Sequence, residues 1–107
     1  MSDHVHVTRE SDPDRFEISS DGQVAGFAQF VDHDGKRVFF HTEIDKDFGG
    51  KGLAGEVVRH ALDATREDGL RIVAVCPYVK KWLETHEGYG DLLDPATPDL
   101  LAAIPRA

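Results

Sequence analysis

Phe48-Gly49-Gly50-Lys51-Gly52-Leu53-Ala54-Gly55 is the stretch around which this sequence is organised. It ends an extended, aromatic-rich run at residues 38–44 and opens a helical period at residues 53–68. A strand, a glycine turn and a helix in this order point the unpaired N–H groups of the helix N-terminus at whatever lies above the turn, and such a turn attracts a phosphate. Glycine also lets a ligand approach the backbone closely. An ordinary glycine-rich connection has the same pattern, so the stretch alone leaves both interpretations open.

Length and composition indicate one small domain. The chain has 107 residues and a mass of 11.8 kDa, which leaves room for a single core. Hydrophobic residues make up 40% and charged residues 30%, as in a soluble globular protein. No apolar run approaches the roughly 20 residues of a membrane span. The N-terminus, Met1-Ser2-Asp3-His4, lacks the layout of a signal peptide. We therefore predict a cytoplasmic protein without membrane contact.

Charge and cysteine content exclude further classes. Twelve Lys and Arg residues against 20 Asp and Glu residues give a net charge of −8, which weighs against nucleic acid as a partner but not against a small anionic ligand. Cys76 is the only cysteine, so an internal disulfide is excluded. His4 and His6 share a strand face, but no third ligand follows nearby in sequence, so no metal site is predicted.

The periodicity predicts an α+β fold with a mixed, mostly antiparallel sheet and two helices. Two Asp-Gly turns, at Asp21-Gly22 and Asp34-Gly35, join three of the strands into a meander. A buried strand after the first helix is expected to lie parallel to the strand before it. Residues 4–93 form the predicted core and residues 94–107, with three prolines, a tail or a partly docked segment. The predicted strands are 4–8, 15–19, 23–32, 37–45 and 70–75, and the helices are 53–68 and a short one from Pro77 to before Gly88.

The glycine stretch resembles the acetyl-CoA-binding signature of the GNAT superfamily of acyl-CoA-dependent N-acyltransferases, Arg/Gln-x-x-Gly-x-Gly/Ala. Gly52 and Ala54 match it, whereas Gly49 stands in place of the leading Arg or Gln. A longer ordered set makes residues 15–93 similar to a small single-domain branch, the YjdJ-like or NATD1-like group. That set comprises His41-Thr42-Glu43-Ile44, Gly50-Lys51-Gly52-Leu53-Ala54, Ala61-Leu62-Asp63, Gly69-Leu70, Cys76-Pro77-Tyr78 and Asp91-Leu92-Leu93.

The resemblance implies acetyl-CoA as cofactor and a primary amine as acceptor. It implies that the strands on either side of the first helix splay apart, with the pantetheine arm in the gap between them. Main-chain groups of residues 39–45 would pair with the pantetheine amides, and backbone N–H groups of residues 49–54 would hold the pyrophosphate. Lys51 could add a charged contact to a phosphate, although an exposed loop lysine is usually only solvated. The predicted cofactor-binding residues are Thr42, Ile44, Gly49, Gly50, Lys51, Gly52, Leu53 and Ala54.

Cys76 is a candidate catalytic residue. It ends the buried strand and precedes Pro77, which places it at the N-cap of the second helix. The partial positive charge at a helix N-terminus favours the nucleophilic thiolate. The resemblance places the cofactor thioester near this strand end, so Cys76 would either transfer the acyl group covalently or line the acyl pocket. A lone cysteine is also often a small buried hydrophobe.

His41, Glu43 and Tyr78 are the other catalytic candidates. His41 and Glu43 lie two apart on a strand and share a face, as expected for a base that deprotonates an amine; a solvent-facing polar pair has the same spacing. Many GNAT enzymes protonate the departing thiolate with a tyrosine on the last helix. Tyr78 is a weak candidate for that role and the general acid stays open, while Trp82 is interpreted as core.

The part of the site that would bind the amine acceptor is predicted to be shallow and open. A typical GNAT domain has one or two helices between its first two strands and two strands after its last helix, whereas residues 10–14 alone separate the first strands here and about 18 residues follow Glu87. A protein or peptide amine, or a second subunit of a homodimer, would complete the groove. The alternatives are a binding module for acyl-CoA without turnover and an interaction protein that uses the open sheet face.

Overall fold

A five-stranded sheet carries three helices in the computed structural model, which describes residues 5–50 and 52–105. The spatial order of the strands follows the chain, β1 to β5. The predicted fold class is confirmed, with one short helix added. The strands are β1 (Val5–Glu10), β2 (Arg15–Ser20), β3 (Gln23–His33), β4 (Lys36–Ile44) and β5 (Arg71–Ala74), and the helices are α1 (Leu53–Glu67), α2 (Pro77–Thr85) and α3 (Pro98–Ala102).

The first four strands form an antiparallel meander; the two turn signals predict the part from β2 to β4, and β1 extends it. Both Asp-Gly turns have positive φ at each residue: 51° and 83° at Asp21 and Gly22, 55° and 75° at Asp34 and Gly35. Such turns match the right-handed twist of the strands that they join. β5 lies parallel to β4, again as predicted, because α1 returns the chain across the sheet.

One face of α1 packs on the sheet and forms the main core with β2, β3 and α2. The apolar period of the sequence places six side chains of α1 in this core, and Thr65 satisfies its buried hydroxyl by donating to the Ala61 carbonyl at 2.8 Å. The six side chains are Leu53, Val57, Val58, Ala61, Leu62 and Thr65.

In the described ranges, every helix is too short or too polar to span a membrane.

Arg37 is buried in this structure, which the sequence analysis did not predict. Its side chain is only 1% exposed, and its guanidinium donates to Asp32 at 2.7 Å and to Asp68 at 2.9 Å. It lies over the Phe30 ring at 4.7 Å. Burial opposes the charge on Arg37, but the hydrogen bonds and attraction from Asp32 and Asp68 outweigh it and raise the pKa of the group. This cluster ties β3 and β4 to the end of α1.

The segment predicted as a tail or a partly docked segment docks through α3. Thr97 caps this helix by accepting from the Leu100 N–H at 3.3 Å, and Pro98 occupies its first turn. Leu100 is buried against Val38 and Val73, on the sheet face opposite α1. Part of that second face is therefore covered, and the end of the face that carries Glu43 is not.

Gly26 is required where β3 passes β4. A Cβ on Gly26 would lie 2.3 Å from the Glu43 carbonyl oxygen and 2.4 Å from Ile44 Cδ1. We expect Gly26→Ala to displace the end of β4 and to lower the free energy of unfolding by about 1–3 kcal/mol in urea titrations. Gly90→Ala is the matched control, because nothing lies within 4 Å of its added Cβ. Equal stability of the two variants would contradict the close approach.

Candidate active site

β4 and β5 diverge halfway along β4. Their pairing covers Lys36 to Phe39 on β4 and ends when the N–H groups of Val75 and Cys76 both donate to the Phe39 carbonyl, each at 2.9 Å. From His41 to Ile44, β4 pairs with β3 on one side and has no strand neighbour on the other among the described residues. The divergence leaves unpaired main-chain groups along that edge of β4.

A bulge in β4 decides which side chains face the helices. Gln29 pairs with His41 and Phe30 with Phe39, so Phe40 is an extra residue in the strand. As a result Phe39 and Thr42 both point toward the α1 side. In a regular strand, two residues three positions apart would point to opposite faces. The sequence carried no recognisable signal for this bulge.

A groove of about 240 Å³ lies beside the glycine turn at the divergence. Phe48 and Tyr78 line it together with six of the eight predicted cofactor-binding residues. Thr42 lies deeper along β4, outside this lining, and Lys51 lies outside the described residues. The six are Ile44, Gly49, Gly50, Gly52, Leu53 and Ala54.

The N-terminus of α1 opens onto this groove without a cap. Gly52 is the N-cap residue, with φ of 74°, and no side chain accepts from the first turn. Within the described ranges, no acceptor lies at hydrogen-bond distance from the amides of Leu53, Ala54 and Gly55; the Glu56 amide is the first to be paired, to the Gly52 carbonyl at 3.2 Å. Three amides at a helix N-terminus, without an acceptor in the described part of the chain, can therefore bind an anion.

Cys76 is the N-cap residue of α2, as predicted, with Pro77 in the first turn. Its side chain is 4% exposed, and its Sγ–H donates to Thr42 Oγ1 at 3.5 Å. The thiol therefore bridges the two diverging strands at the point where their main-chain pairing has ended.

His41 and Glu43 lie on the other face of β4. His41 Nε2 is 3.3 Å from Glu43 Oε1, both side chains are exposed, and the His41 ring packs at 5.8 Å from the Phe27 ring. The structure brings the two residues together, as their spacing predicts. Because side chains alternate along a strand, this pair and the Cys76–Thr42 pair flank β4 from opposite sides.

Tyr78 lies near the glycine turn at the start of α2. It lines the groove, and its hydroxyl reaches to 3.9 Å from the point where a Cβ on Gly55 would lie. Burial raises the pKa of Tyr78 above its ordinary value of 10.0, so the hydroxyl keeps its proton at neutral pH. A protonated phenol beside the groove can donate a proton or a hydrogen bond.

Trp82 has a second role that the sequence analysis missed. It belongs to the core, as interpreted, but it also lines a cavity of about 330 Å³ between α1 and α2. Gly52 borders both this cavity and the groove. The signal in the sequence was Gly55, a glycine inside a helical pattern, which usually has a packing reason.

The family model for the GCN5-related N-acetyl-transferase matches residues 15–92. The chain belongs to this family. The match includes the glycine turn, both diverging strands and α2, so the groove is built from the part of the chain that defines the family.

Two solved structures, one of an N-acetyltransferase and one of a putative N-acetyltransferase, share the fold. A GCN5-like putative N-acetyltransferase from Staphylococcus aureus superposes with a TM-score of 0.66 at 22% identity, covering 92% of this chain and 95% of that one. The ribosomal-protein-S18-alanine N-acetyltransferase from Escherichia coli has a TM-score of 0.52 at 22% identity, over 54% of this chain and 38% of that one. The chain thus spans well under half of the Escherichia coli enzyme. The comparison with curated proteins finds no match.

Proposed function

We propose that the protein is an acetyl-CoA-dependent N-acetyltransferase that transfers an acetyl group to a primary amine, within the YjdJ-like or NATD1-like group. Three amides of α1 beside the groove, which have no acceptor among the described residues, support this proposal. They offer a preformed anion site at the position where the family signature lies. Because backbone groups form the site, Gly49 in place of Arg or Gln weakens cofactor binding without removing it.

In this proposal the cofactor follows the groove. The diphosphate accepts from the amides of Leu53, Ala54 and Gly55, and the pantetheine arm pairs with the main chain of β4 near Thr42 and Ile44, where β5 has diverged. Lys51 adds a charged contact to a phosphate. The thioester then lies beside the Cys76–Thr42 pair.

The reaction needs a neutral amine, whose nitrogen attacks the thioester carbonyl carbon. The C–N bond forms, the C–S bond breaks, and the negative charge on the carbonyl oxygen is held by a strand N–H. His41, supported by Glu43, takes a proton from the amine on the exposed face of β4. Tyr78, which keeps its proton at neutral pH, is the candidate donor to the departing CoA thiolate.

The acceptor side favours a cationic and bulky amine. The net charge of −8 attracts cations at long range. The end of the sheet face that carries His41 and Glu43 is exposed, so a protein or peptide amine, or a second subunit, would supply the remaining wall.

Thiol release tests the proposal. The protein is incubated with acetyl-CoA and with peptides that offer an N-terminal amine or a lysine, and CoA is followed with a thiol reagent. We expect CoA release that depends on the amine. Binding of acetyl-CoA, seen as a raised melting temperature, without release by any amine would favour the binding module. No shift of the melting temperature would contradict both and favour the interaction protein.

Cys76 is tested by intact mass. If Cys76 takes the acetyl group from CoA before the amine does, the protein gains one acetyl adduct with acetyl-CoA alone, and Cys76→Ser loses the labile adduct. An unmodified mass throughout turnover would assign Cys76 to the lining of the acyl pocket. In that case we expect Cys76→Ala to retain most of its activity, because direct attack by the amine does not need the thiol.

A further inference from the structure

A cavity of about 400 Å³ lies at the outer edge of β5, where it is lined by α2 and by the segment at residues 93–96. None of the candidate catalytic or cofactor-binding residues lines it. Its volume lies within the range of about 300–1,000 Å³ that is typical of small-ligand sites. The cavity therefore has the size of a ligand site and lies apart from the groove.

The cavity begins where pairing along this edge of β5 stops. Leu93 forms a parallel bridge with Ile72, and the Asp94 N–H donates to the Ile72 carbonyl at 2.9 Å. Pro95 follows and has no N–H to donate. In the described part of the chain this bridge is the whole of the pairing on that side of β5, so the two chains separate after it and leave the cavity between them.

Ala74 turns an unused main-chain N–H and carbonyl toward the cavity. The Val75 N–H donates to Phe39 on the β4 side, whereas the Ile72 carbonyl accepts from the opposite side. Because these groups alternate along a strand, those of Ala74 point away from β4, as those of Ile72 do. Neither group of Ala74 has a hydrogen-bond partner among the described residues. A ligand with a donor and an acceptor in strand geometry would satisfy both.

The surroundings of Ala74 suit an apolar side chain. Cross-strand neighbours point to the same face of a sheet, and Ala74 packs against the main core. Leu83 of α2 packs against that core and also lines the cavity, together with Leu93 and Pro95. Leu93 is 38% exposed, so a ligand that covered it would remove apolar surface from water.

Two charged side chains of α2 line the cavity without a partner. Lys80 and Glu84 have no ion pair or side-chain hydrogen bond within the described ranges. Asp94, which also lines the cavity, is already paired with Arg71 at 2.8 Å and with Lys36 at 3.4 Å. Four helical residues rise about 6 Å, and the two flexible side chains can extend this to the roughly 10 Å of three extended residues. Lys80 and Glu84 therefore match the carboxylate and the ammonium of a short peptide.

We propose that this cavity binds a short peptide of about three residues, with free ends and an apolar middle residue. The middle residue pairs its N–H and carbonyl with Ala74, and its side chain lies against Leu83. The carboxylate of the peptide meets Lys80 and its ammonium meets Glu84. Tyr78, which lines the groove, lies on the opposite face of α2, so this site goes beyond the proposed acetyl transfer.

The tripeptide Ala-Leu-Ala is the probe. It is titrated into the isotope-labelled protein without acetyl-CoA, and the backbone amides are followed by NMR. We expect the Ala74 amide to shift and to saturate, because it gains an acceptor. No saturable shift at Ala74 up to about 10 mM, tenfold above a Kd of about 1 mM, would overturn the peptide site.

Three related peptides test the parts of the ligand. Methylation of the leucine nitrogen removes one hydrogen bond and should weaken binding about fivefold. Ala-Ser-Ala loses the apolar side chain and should bind about tenfold more weakly. Acetyl-Ala-Leu-Ala-amide loses both end charges and should also lose about tenfold. Equal affinities for all of these peptides would overturn the proposal, and equal or tighter binding of the capped peptide alone would replace the free peptide by an internal protein segment.

Lys80→Gln tests the carboxylate contact. This variant should weaken Ala-Leu-Ala at least about threefold and leave the capped peptide unchanged. Lys81→Gln is the matched control, because Lys81 is the next residue of α2, is also exposed and lies outside the cavity lining. Equal effects of the two variants on Ala-Leu-Ala would overturn the role of Lys80.

The same titration separates this inference from the proposed function. A peptide that binds only as an amine acceptor at the candidate active site would shift the amides of His41 and Glu43. That pattern without a shift at Ala74 would overturn the peptide site and leave the transferase proposal intact. A saturable shift at Ala74 in a protein that never releases CoA would support the peptide site and count against the transferase.

Discussion

Replacing Ala54 by Asp should reduce the affinity for acetyl-CoA by about 100-fold or more, while the melting temperature stays equal or rises. Ala54 lies in the first turn of α1, two residues after the N-cap Gly52, and it lines the groove. A carboxylate there faces the positive end of the helix dipole and the unpaired amides, which stabilises the helix by about 0.3–1 kcal/mol. The same carboxylate competes with the cofactor for those amides.

Coulomb repulsion sets the size of the effect. Two unit charges about 4 Å apart interact by about 4 kcal/mol at the effective dielectric constant of a protein surface, and each 1.4 kcal/mol is about tenfold in affinity. A diphosphate carries more than one negative charge, so a 100-fold loss allows for screening by salt. Calorimetric titration with acetyl-CoA at low and at physiological salt measures the loss, which should be smaller at the higher salt.

Ala54→Asn is the matched control, because it has nearly the same volume as the Asp variant and no charge. We expect the affinity of Ala54→Asn for acetyl-CoA to fall by less than about tenfold, since the side-chain amide can still compete for one N–H but does not repel phosphate. A similar loss in the two variants would mean that crowding, and not charge, limits the site. Unchanged affinity in Ala54→Asp would show that the cofactor does not lie at the start of α1.

Local signals in the sequence predicted most of the fold. The two Asp-Gly turns predicted the meander, and the 3.6-residue apolar period predicted α1. The continuous apolar run predicted β5 as a buried strand, and its position after α1 predicted that it is parallel to β4. Each signal depends on residues close in sequence, which is why strand and helix ends agree to within two residues. The glycine turn predicted only that a helix N-terminus lies beside it; the residues expected along the groove came from the family resemblance.

The features that sequence reasoning missed depend on distant partners. The extra residue Phe40 is visible only in the register of β4 against β3. Burial of Arg37 needs Asp68, which is 31 residues away and reaches it only after α1 has crossed the sheet. The cavity around Trp82 needs Gly55 on a different helix. The α3 helix is the exception, since Thr97 and Pro98 were a local start signal that was not used.

Neutralising the two carboxylates that pair with Arg37 should destabilise the protein more than replacing Arg37 itself. In the double variant Asp32→Asn/Asp68→Asn the guanidinium stays buried without a countercharge, and we expect a loss of about 3 kcal/mol in the free energy of unfolding. Arg37→Met should cost less, about 1–2 kcal/mol. Its apolar chain still fills space against Phe30, and Arg9, 3.5 Å from Asp32 and 3.3 Å from Asp68, still pairs with the exposed carboxylates.

Urea unfolding at neutral pH measures these differences, and an unchanged m-value shows that the variants share the same folded and unfolded states. Arg71→Gln is the surface control: Arg71 pairs with Asp94 at 2.8 Å but is 45% exposed, so its removal should cost less than either change in the Arg37 cluster. If Arg37→Met cost more than the double variant, packing of the arginine side chain, and not its unpaired charge, would dominate. The cluster would then hold β3, β4 and α1 together mainly through shape.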